Sequence, residues 1–321
     1  MLREIADGLR LRNLTPFGLA RWAGTDRLSA LPRRLARLAG QDIVPASAAL
    51  ALFVGGVAVD AGMLPAELVD RLLRAELVER DGHRLRARHA VLPLGQALIA
   101  CDRLDAPEQR ELACWPDDSS YHLARAIPPH GCARWLDLGC GSAFAQLWRP
   151  GLAELRLGGD INPRALDHAR LGAALSGVEL ALCRADLGDG VPADWRGACD
   201  LVSCNAPIPS RDESPRPMWQ TTDEGLIERL YAHAARLVAP GGMVIVHAAL
   251  DALVPVLDAI DGERVVVAYT PPGVAQFGVA WWRPAGDKLA RGARRELTAE
   301  RPHLGHADRI AALREELPPL E

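Results

Sequence analysis

Apolar residues follow two different patterns along the chain, and the pattern changes near residue 115. Beyond residue 130, short apolar runs alternate with amphipathic stretches at 163–174 and 225–238, whose apolar residues recur at helical spacing. The apolar runs predict seven strands, at residues 133–138, 154–159, 178–185, 200–203, 242–248, 264–269 and 275–282. This alternation predicts an α/β fold with a mostly parallel sheet and helices on both of its faces.

The N-terminal part of the chain has a more helical pattern. Apolar residues recur at helical spacing near the N-terminus, where Thr15 and Pro16 have the sequence of a helix start. A second pattern of helix, turn, helix and hairpin follows, in which Pro65 opens the second helix. Asp81-Gly82 lies between two short segments and is a strong signal for a two-residue turn. Helices followed by a hairpin predict a mostly helical, winged-helix-like module.

These patterns predict two domains, a winged-helix-like domain over residues 1–115 and an α/β domain with a helical tail over residues 116–321. Charge adds a distinction between them. The whole chain has a net charge of −4, so it is not a polycation that coats nucleic acid. Residues 1–40, however, carry eight arginines against three acidic residues. Four more arginines lie in the predicted hairpin: Arg80, Arg84, Arg86 and Arg88. Three functions of the module stay open, which are binding nucleic acid, forming a dimer and covering the substrate.

The cysteines and the start of the chain indicate a cytoplasmic protein. Seven cysteines form no CxxC pair, which favours reduced thiols and predicts no metal site. Charged residues occupy the N-terminal stretch where a signal peptide has its apolar segment. The most apolar run, residues 46–59, contains Gly55-Gly56 and is shorter than the roughly 20 residues of a membrane span. We expect it to be a buried helix and turn.

Candidate chemistry follows the ends of the first four predicted strands. The first strand runs into Asp137-Leu138-Gly139-Cys140-Gly141, and glycines there let the backbone approach a ligand and turn into a helix. A dinucleotide fingerprint would have a third glycine where this chain has Phe144. Asp160 ends the second strand, Asp186 the third and Asn205 the fourth. Because ligands bind at the carboxyl ends of parallel strands, these residues are expected to meet at one edge.

This series resembles the class I S-adenosylmethionine-dependent methyltransferases. The resemblance implies a seven-stranded sheet whose last strand is antiparallel, with S-adenosylmethionine across the tips of strands 1, 2 and 4. Asp160 would accept hydrogen bonds from the ribose hydroxyls, and Asp186 would accept one from the adenine amino group. NAD is the competing ligand, which the missing third glycine disfavours. The cofactor-binding residues that the resemblance implies are Asp137, Gly139, Cys140, Gly141, Asp160, Ile161, Asp186, Leu187 and Asn205.

Residues 205–208, with the sequence Asn-Ala-Pro-Ile, resemble a degenerate form of the Asn-Pro-Pro-Tyr/Phe motif of HemK-like methyltransferases. In that group the Asn side chain accepts hydrogen bonds from the target NH2, and an aromatic ring stacks on a planar substrate. The resemblance therefore implies catalytic roles for Asn205 and Pro207. Ile208 replaces the aromatic residue, so that a stacking surface worth about 1–3 kcal/mol per base is missing. The missing ring disfavours planar bases as substrates and favours small molecules.

The remaining contacts to an acceptor are expected from neighbouring residues. Tyr121, Ile208 and Trp219 are the candidate substrate-binding residues. His122, just before the first strand, is the candidate general base, which is needed only if the acceptor atom keeps its proton at neutral pH, as a hydroxyl does. His247 is expected to be a core residue with a polar partner.

The sequence thus predicts methyl transfer to nitrogen or oxygen of a small molecule, in secondary metabolism. Two alternatives stay open. One is HemK-like methylation of protein glutamine or of RNA. The other is a non-catalytic module that senses S-adenosylmethionine and binds nucleic acid through the N-terminal domain. A homodimer is also left open, and no membrane partner is expected.

Overall fold

The computed structural model describes residues 1–24, 28, 31, 48–103, 114–207, 225–269, 276–284 and 293–296. These residues form two compact units, which are described separately. The first unit comprises residues 1–117, 141–148 and 167–179. The second comprises residues 118–140 and 149–166 and everything from residue 180 onward.

The N-terminal part of the first unit contains short helices and small antiparallel sheets. Its helices are α1 (Leu2–Arg10), α2 (Pro16–Ala23), α3 (Ala48–Phe53) and α4 (Ala66–Arg74), with a 3₁₀ turn at Ala61–Met63. Its strands are β1 (Val59–Asp60), β2 (Val78–Asp81), β3 (Arg84–Ala87), β4 (Ala90–Leu94) and β5 (Ala97–Cys101). The first three strands form a sheet in the order β1-β3-β2, and β4 pairs with β5.

Local sequence signals explain how these elements begin and turn. The Oγ1 atom of Thr15 accepts a hydrogen bond from the backbone N–H of Gly18 at 3.0 Å, which confirms the predicted start of α2. The predicted turn is displaced by one residue, because Asp81 pairs with Arg84 and leaves Gly82-His83 as the two-residue loop. Gly82 has a φ of +59°, which glycine adopts without strain.

The second unit is built on an eight-stranded sheet. Its strands are β6 (Cys132–Leu138), β7 (Ala153–Asp160), β8 (Ala181–Arg184), β9 (Cys199–Asn205), β10 (Val238–Ala249), β11 (Glu263–Tyr269), β12 (Phe277–Arg283) and β13 (Ala293–Glu296). The order across the sheet is β13-β11-β12-β10-β9-β6-β7-β8. Only β12 runs antiparallel to its neighbours. All seven predicted strands are present, and β13 is an eighth strand at the edge that the pattern did not predict.

The remaining helices precede or alternate with these strands along the chain, and residues 144–148 and 167–176 among them belong to the first unit. They are α5 (Asp118–Ala126), α6 (Phe144–Trp148), α7 (Pro163–Ser176), α8 (Leu226–Leu237) and α9 (Leu250–Ala259). A 3₁₀ turn lies at Ala193–Trp195. The core of the second unit consists of apolar side chains from the sheet and from α8 and α9, including Leu136, Val202 and Leu253. Desolvation of this apolar surface is the main favourable contribution to its folding.

Helix α5 is held against the large sheet on one side. Its buried residues include Ser119, His122, Leu123 and Ala126, which recur at the spacing of one helix face. The indole N–H of Trp281 in β12 donates to the carbonyl of Ala126 at 2.9 Å. The orientation of α5 therefore places His122 over the sheet. Within the described residues, every helix is too short or too polar to cross a membrane.

Candidate functional site

The carboxyl edge of the large sheet brings the predicted polar residues together. Asp160 is the last residue of β7, Asp137 is the penultimate residue of β6, and Asn205 is the last residue of β9. Asp186 follows β8 by two residues. Since β8, β7, β6 and β9 are parallel neighbours, the four polar side chains follow one another along this edge in that order.

Asp137 is buried and lies in a hydrogen-bonded series. Ser203 donates its hydroxyl proton to Asp137 Oδ1 at 2.5 Å, and the indole N–H of Trp135 donates to Ser203 Oγ at 2.8 Å. Burial raises the pKa of Asp137 to about 7, the Ser203 hydrogen bond opposes this rise, and the nearby charge of Asp160 adds to it. A cation bound at this edge would therefore stabilise the ionised form of Asp137.

The glycine-containing turn after β6 has the backbone geometry that the sequence predicts. Gly139 and Gly141 have φ values of +62° and +54°, in the left-handed region that favours glycine. Cys140 is buried, and its N–H donates to the carbonyl of Gly159 at 3.0 Å. A Cβ atom on Gly158 would lie 2.9 Å from the sulfur of Cys140. Cys140 therefore fills the space over a glycine of β7 and contributes its backbone to the turn.

Asp160 and Asp186 have different surroundings. Asp160 is buried, and its Oδ1 accepts the backbone N–H of Asn162 at 2.9 Å, while Ile161 between them is half-buried. Asp186 is exposed, and its backbone exchanges two hydrogen bonds with Asp189 across a tight loop. The next residue of this loop, Leu187, has a φ of +51°. A buried carboxylate at the end of β7 and an exposed one after β8 are consistent with a ligand that crosses this edge.

Asn205 is held by side chains on two sides. Its amide nitrogen donates to Ser119 Oγ at 2.8 Å and to Ser120 Oγ at 3.3 Å. Its amide oxygen lies 2.9 Å from Nδ1 of His247 in β10. The side chain is therefore fixed by α5 and by the neighbouring strand, and one lone pair of the amide oxygen is used by the protein itself.

The hydrogen-bonded series continues beyond Asn205 through His247 and Tyr269, which sequence reasoning did not assign to the site, to His122, which it did. Nε2 of His247 lies 2.6 Å from the hydroxyl of Tyr269, the last residue of β11, and that hydroxyl lies 2.8 Å from Nδ1 of His122. His247 stacks on Phe277 with the ring planes 17° apart. Burial, together with the nearby His122, lowers the pKa of His247 to about 3. His247 is therefore neutral at physiological pH.

The series extends the same strand-end pattern to two further strands. His247 lies near the carboxyl end of β10 and Tyr269 at that of β11, and β10 and β11 point the same way in the sheet. The rule that selected the first four polar residues would have found them if it had been applied to all the strands. We refer to Asn205, His247, Tyr269 and His122 as the carboxyl-edge chain.

The predicted substrate residues are placed only in part. Tyr121 is half-buried on α5 beside His122, and Pro207 is half-buried just after β9. Ile208 and Trp219 lie outside the described residues, as does the predicted C-terminal helix. Ala206 between Asn205 and Pro207 is buried and donates its N–H to the carbonyl of His247 at 2.9 Å.

A separate polar cluster lies in the first unit. Asp102 and His168 are both buried, with Oδ1 of Asp102 3.4 Å from Nε2 of His168. The backbone N–H of Cys114 donates to Asp102 Oδ2 at 2.8 Å, and these three residues each have one potential metal-ligating atom within 4.8 Å of the others. Three such ligands fall one short of a closed tetrahedral site. The described contacts account for the cluster as a buried acid–histidine pair that also holds the backbone of residue 114.

Comparisons with known proteins identify similar solved structures. One is a predicted O-methyltransferase from Agrobacterium tumefaciens, at 16% identity and a TM-score of 0.41, covering 60% of this chain and 96% of that one. Another is a ribosomal protein L11 methylase from Lactobacillus delbrueckii subsp. bulgaricus, at 19% identity and a TM-score of 0.39, covering 52% and 78%.

A third is the N-methyltransferase NodS from Bradyrhizobium japonicum, at 16% identity and a TM-score of 0.39, covering 52% of this chain and 94% of that one. No family model matches this chain, and no curated protein matches it in sequence. At identities and TM-scores this low, the ligand and the reaction have to be argued from the chain's own residues.

Proposed function

We propose that the protein is an S-adenosylmethionine-dependent methyltransferase that acts on nitrogen or oxygen of a small molecule. The observation that carries the proposal is the pair of buried carboxylates, Asp137 and Asp160, on adjacent strands at the carboxyl edge. Burial raises the pKa of Asp137, and the nearby charge of Asp160 adds to this rise, so ionising Asp137 is costly. A ligand with a sulfonium and an ammonium group would offset that cost.

The cofactor contacts follow the order of the strands. Asp160 would accept hydrogen bonds from the ribose hydroxyls, and its position is fixed in part by the Asn162 N–H, which donates to its Oδ1. Ile161 would contact the adenine ring, and Asp186 and Leu187 would lie at its amino edge. The turn Gly139-Cys140-Gly141 and Asp137 would contact the amino-acid part of the cofactor. S-adenosylmethionine supplies an activated methyl group when bound, so the protein mainly aligns the acceptor and excludes water.

The acceptor would bind beside Asn205 and Pro207, with Tyr121, Ile208 and Trp219 as its contacts and His122 as its base. Asn205 is fixed by Ser119 and His247, which supports a role in which one orientation of its amide matters. HemK-like methylation of protein glutamine or of RNA is the alternative for the same site. The unstacked position at Ile208 favours a small molecule, and we place the reaction in secondary metabolism.

We further propose that residues 1–115 form a winged-helix-like domain and residues 116–321 the methyltransferase domain. Support comes from the series α3, β1, α4 and the β2–β3 hairpin, whose sheet has the order β1-β3-β2. This topology is also compatible with the alternative function, a sensor of S-adenosylmethionine that binds nucleic acid. All seven cysteines are thiols, which supports a cytoplasmic setting.

Calorimetric titration with S-adenosylhomocysteine tests the proposed cofactor site. Wild type should bind, and Asp160→Asn should weaken binding by roughly 100-fold, because charge-assisted hydrogen bonds contribute about 1.5–3 kcal/mol each. Asparagine keeps an oxygen for the Asn162 N–H, so that the local turn is preserved. Asp167→Asn, an exposed aspartate on α7, is the matched control and should leave affinity unchanged. Equal affinity in the two variants would remove Asp160 from the site.

A further inference from the structure

The cluster of Asp102, Cys114 and His168 in the first unit is assembled by two sets of contacts, of which the first joins Asp102 to Cys114. The backbone N–H of Asp102 donates to the carbonyl of Cys114 at 3.2 Å, and the N–H of Cys114 donates to Oδ2 of Asp102 at 2.8 Å. The indole N–H of Trp115 donates to the carbonyl of Asp102 at 3.1 Å. These hydrogen bonds hold the two residues side by side, although 12 positions separate them in the chain.

The second set of contacts brings His168 to the same place. One face of α7 runs along β5, and the contacts move by two strand residues for each helical turn. The hydroxyl of Ser176 accepts a backbone N–H of β5 at 2.9 Å, and a Cβ atom on Gly172 would lie 3.3 Å from a backbone nitrogen of that strand. A helical turn rises about 5.4 Å and two strand residues rise about 6.6 Å, so the two elements stay in step. The next turn of α7 therefore places His168 beside Asp102, the residue that follows β5.

Asp102 and His168 form an acid–histidine pair, but their spacing fits two ligands of one metal ion better than a hydrogen bond. Nitrogen–oxygen hydrogen bonds are about 2.7–3.2 Å long, whereas Nε2 of His168 lies 3.4 Å from Oδ1 of Asp102. Two ligand atoms that are about 2.0–2.1 Å from a zinc ion, at a tetrahedral angle, lie about 3.3 Å apart. The ligating atom of Cys114 lies within 4.8 Å of the other two. Small side-chain movements would therefore bring all three onto one ion.

The surroundings of His168 also favour an ion. Its Nδ1 is buried and has no hydrogen-bond partner within the described part of the chain, and its ring meets the ring of His89 edge to face. The long contact of Nε2 with Asp102 is the one hydrogen-bonding contact that the described residues give this ring. Buried polar groups normally have good hydrogen-bond partners. A coordinate bond at Nε2 would satisfy the imidazole better than the 3.4 Å contact does.

We propose that Asp102, Cys114 and His168 bind a zinc ion, with a water molecule as the fourth ligand. The set offers one oxygen, one nitrogen and one sulfur atom, which suits zinc and disfavours Mg²⁺ and Ca²⁺, since those ions take oxygen ligands. Zinc binds a cysteine as the thiolate, so the ion replaces the thiol proton of Cys114. The thiolate and the carboxylate of Asp102 together balance the charge of the ion. All three ligands belong to the first unit, and the inference does not depend on the proposed function.

The ion would have a structural role. It would join three segments of the first unit: the residue after β5, the residues that precede α5, and α7. A Cβ atom on Gly141 would lie 3.5 Å from Cβ of Cys114, so an ion that fixes Cys114 would also support the glycine turn after β6. Cys114 is half-buried whereas Asp102 and His168 are buried, so the ion and its water would enter from the side of Cys114. Sequence spacing could not indicate this site, because its ligands come from three distant segments and match no metal-binding motif.

Titration of the full-length protein with zinc and with cobalt(II) tests the site. After treatment with a chelator, wild type should bind one zinc ion per chain in a calorimetric titration. Cobalt(II) should give the near-ultraviolet band of a cobalt–thiolate bond and the intense visible bands of four-coordinate cobalt. Zinc should also raise the midpoint of thermal unfolding, because an ion that binds the folded state stabilises it. Absence of zinc binding, or bound cobalt without a thiolate band, would overturn the proposal.

Matched substitutions assign the ligands. Cys114→Ser should remove the thiolate band and weaken zinc binding by at least about 100-fold, because even the hydrogen-bond partners of metal ligands contribute about 10–100-fold. Cys132→Ser is the control, since Cys132 is also half-buried but lies in the second unit, and it should change neither property. Asp102→Asn keeps an oxygen for the N–H of Cys114 and should also weaken zinc binding, with near-UV circular dichroism to show that it is folded. Zinc affinity that neither Cys114→Ser nor Asp102→Asn lowers, or a thiolate band that Cys132→Ser removes, would place the ion elsewhere and overturn the proposal.

Discussion

The carboxyl edge of the large sheet and the β2–β3 hairpin both carry ionisable residues that stand out in the sequence, but their surroundings differ. At the edge, Asp137 is 4% exposed and His247 is fully buried, and each is hydrogen-bonded to a specific neighbour. On the hairpin, the side chain of His83 is 79% exposed. Burial makes each polar contact costly to lose and shifts pKa values, whereas water screens the exposed charges.

The hairpin arginines are also compensated by acidic neighbours. The strand register places Arg86 opposite Glu79, and Arg84 lies between Asp81 and Asp60 on the two flanking strands. Arg88 lies within 3.3 Å of Glu79 and within 3.5 Å of Glu76. A run of arginines in the sequence is therefore a mixed-charge surface in the fold. The comparison teaches that the edge, where two carboxyl groups are buried on adjacent strands, is the stronger candidate for ligand chemistry.

The same histidine substitution in the two regions should give the largest difference in stability. His247→Leu removes the imidazole that lies against the amide oxygen of Asn205 and against the hydroxyl of Tyr269. We expect it to lower the free energy of unfolding by about 2–4 kcal/mol, since each unsatisfied buried group costs about 1–3 kcal/mol. His83→Leu should change it by less than about 0.5 kcal/mol. Urea denaturation measures both, and equal effects would contradict the assigned importance of the buried hydrogen bonds.

The pH dependence of stability should distinguish two buried groups, because burial lowers the pKa of His247 and raises the pKa of Asp137. The folded pKa of His247 lies near 3, below its ordinary value of 6.5, so its contribution to stability is lost as pH falls from about 6.5 to 3. The folded pKa of Asp137 lies near 7, above 3.8, so its contribution is lost as pH rises from about 4 to 7. Each slope approaches about 1.4 kcal/mol per pH unit.

Difference profiles between wild type and single variants isolate each group. Denaturation midpoints measured from pH 4 to pH 7 should show that the stability of Asp137→Asn, relative to that of wild type, increases as pH rises. The profile of His247→Leu should approach that of wild type as pH falls, because the variant no longer has a buried imidazole that resists protonation. Parallel profiles for wild type and both variants would contradict the two pKa shifts.

Of the three predicted properties, nucleic-acid binding should show the smallest effect. Because the arginines on the hairpin have acidic neighbours, we expect the protein to show no salt-sensitive binding to a generic DNA duplex at low salt. Fluorescence anisotropy measures this, with Glu79→Gln/Asp81→Asn as a variant that removes two of the compensating charges. Tight wild-type binding that falls steeply with added salt would reverse the comparison and favour the nucleic-acid-binding alternative.

The sequence predicts the large sheet well because its strands are buried and therefore apolar. The run that becomes β9 is a clear example, with Leu201 and Val202 fully buried. The eighth strand, Ala293–Glu296, contains two arginines and a glutamate, and no apolar run distinguishes it. The hairpin turn was displaced by one residue, because the pairing of Asp81 with Arg84 depends on the whole register and not on the Asp-Gly pair alone.

The candidate site was predictable where one residue follows one strand and not where side chains meet across the fold. Asp137, Asp160 and Asn205 could be selected from their positions at strand ends. The partners of Asn205 could not, since Ser119 is 86 residues away and His247 is 42 residues away in the chain. His247 was correctly expected to be buried with a polar partner, but the link through Tyr269 to His122 depends on three-dimensional contacts.

A crystal structure with S-adenosylhomocysteine bound is the most direct test of the central claim, that the carboxyl edge is a cofactor site for methyl transfer. The account predicts the ribose hydroxyls on Asp160 and the thioether sulfur on the side of the edge that carries Asn205. A ligand bound away from Asp160, or a sulfur with only apolar side chains around it, would contradict the account.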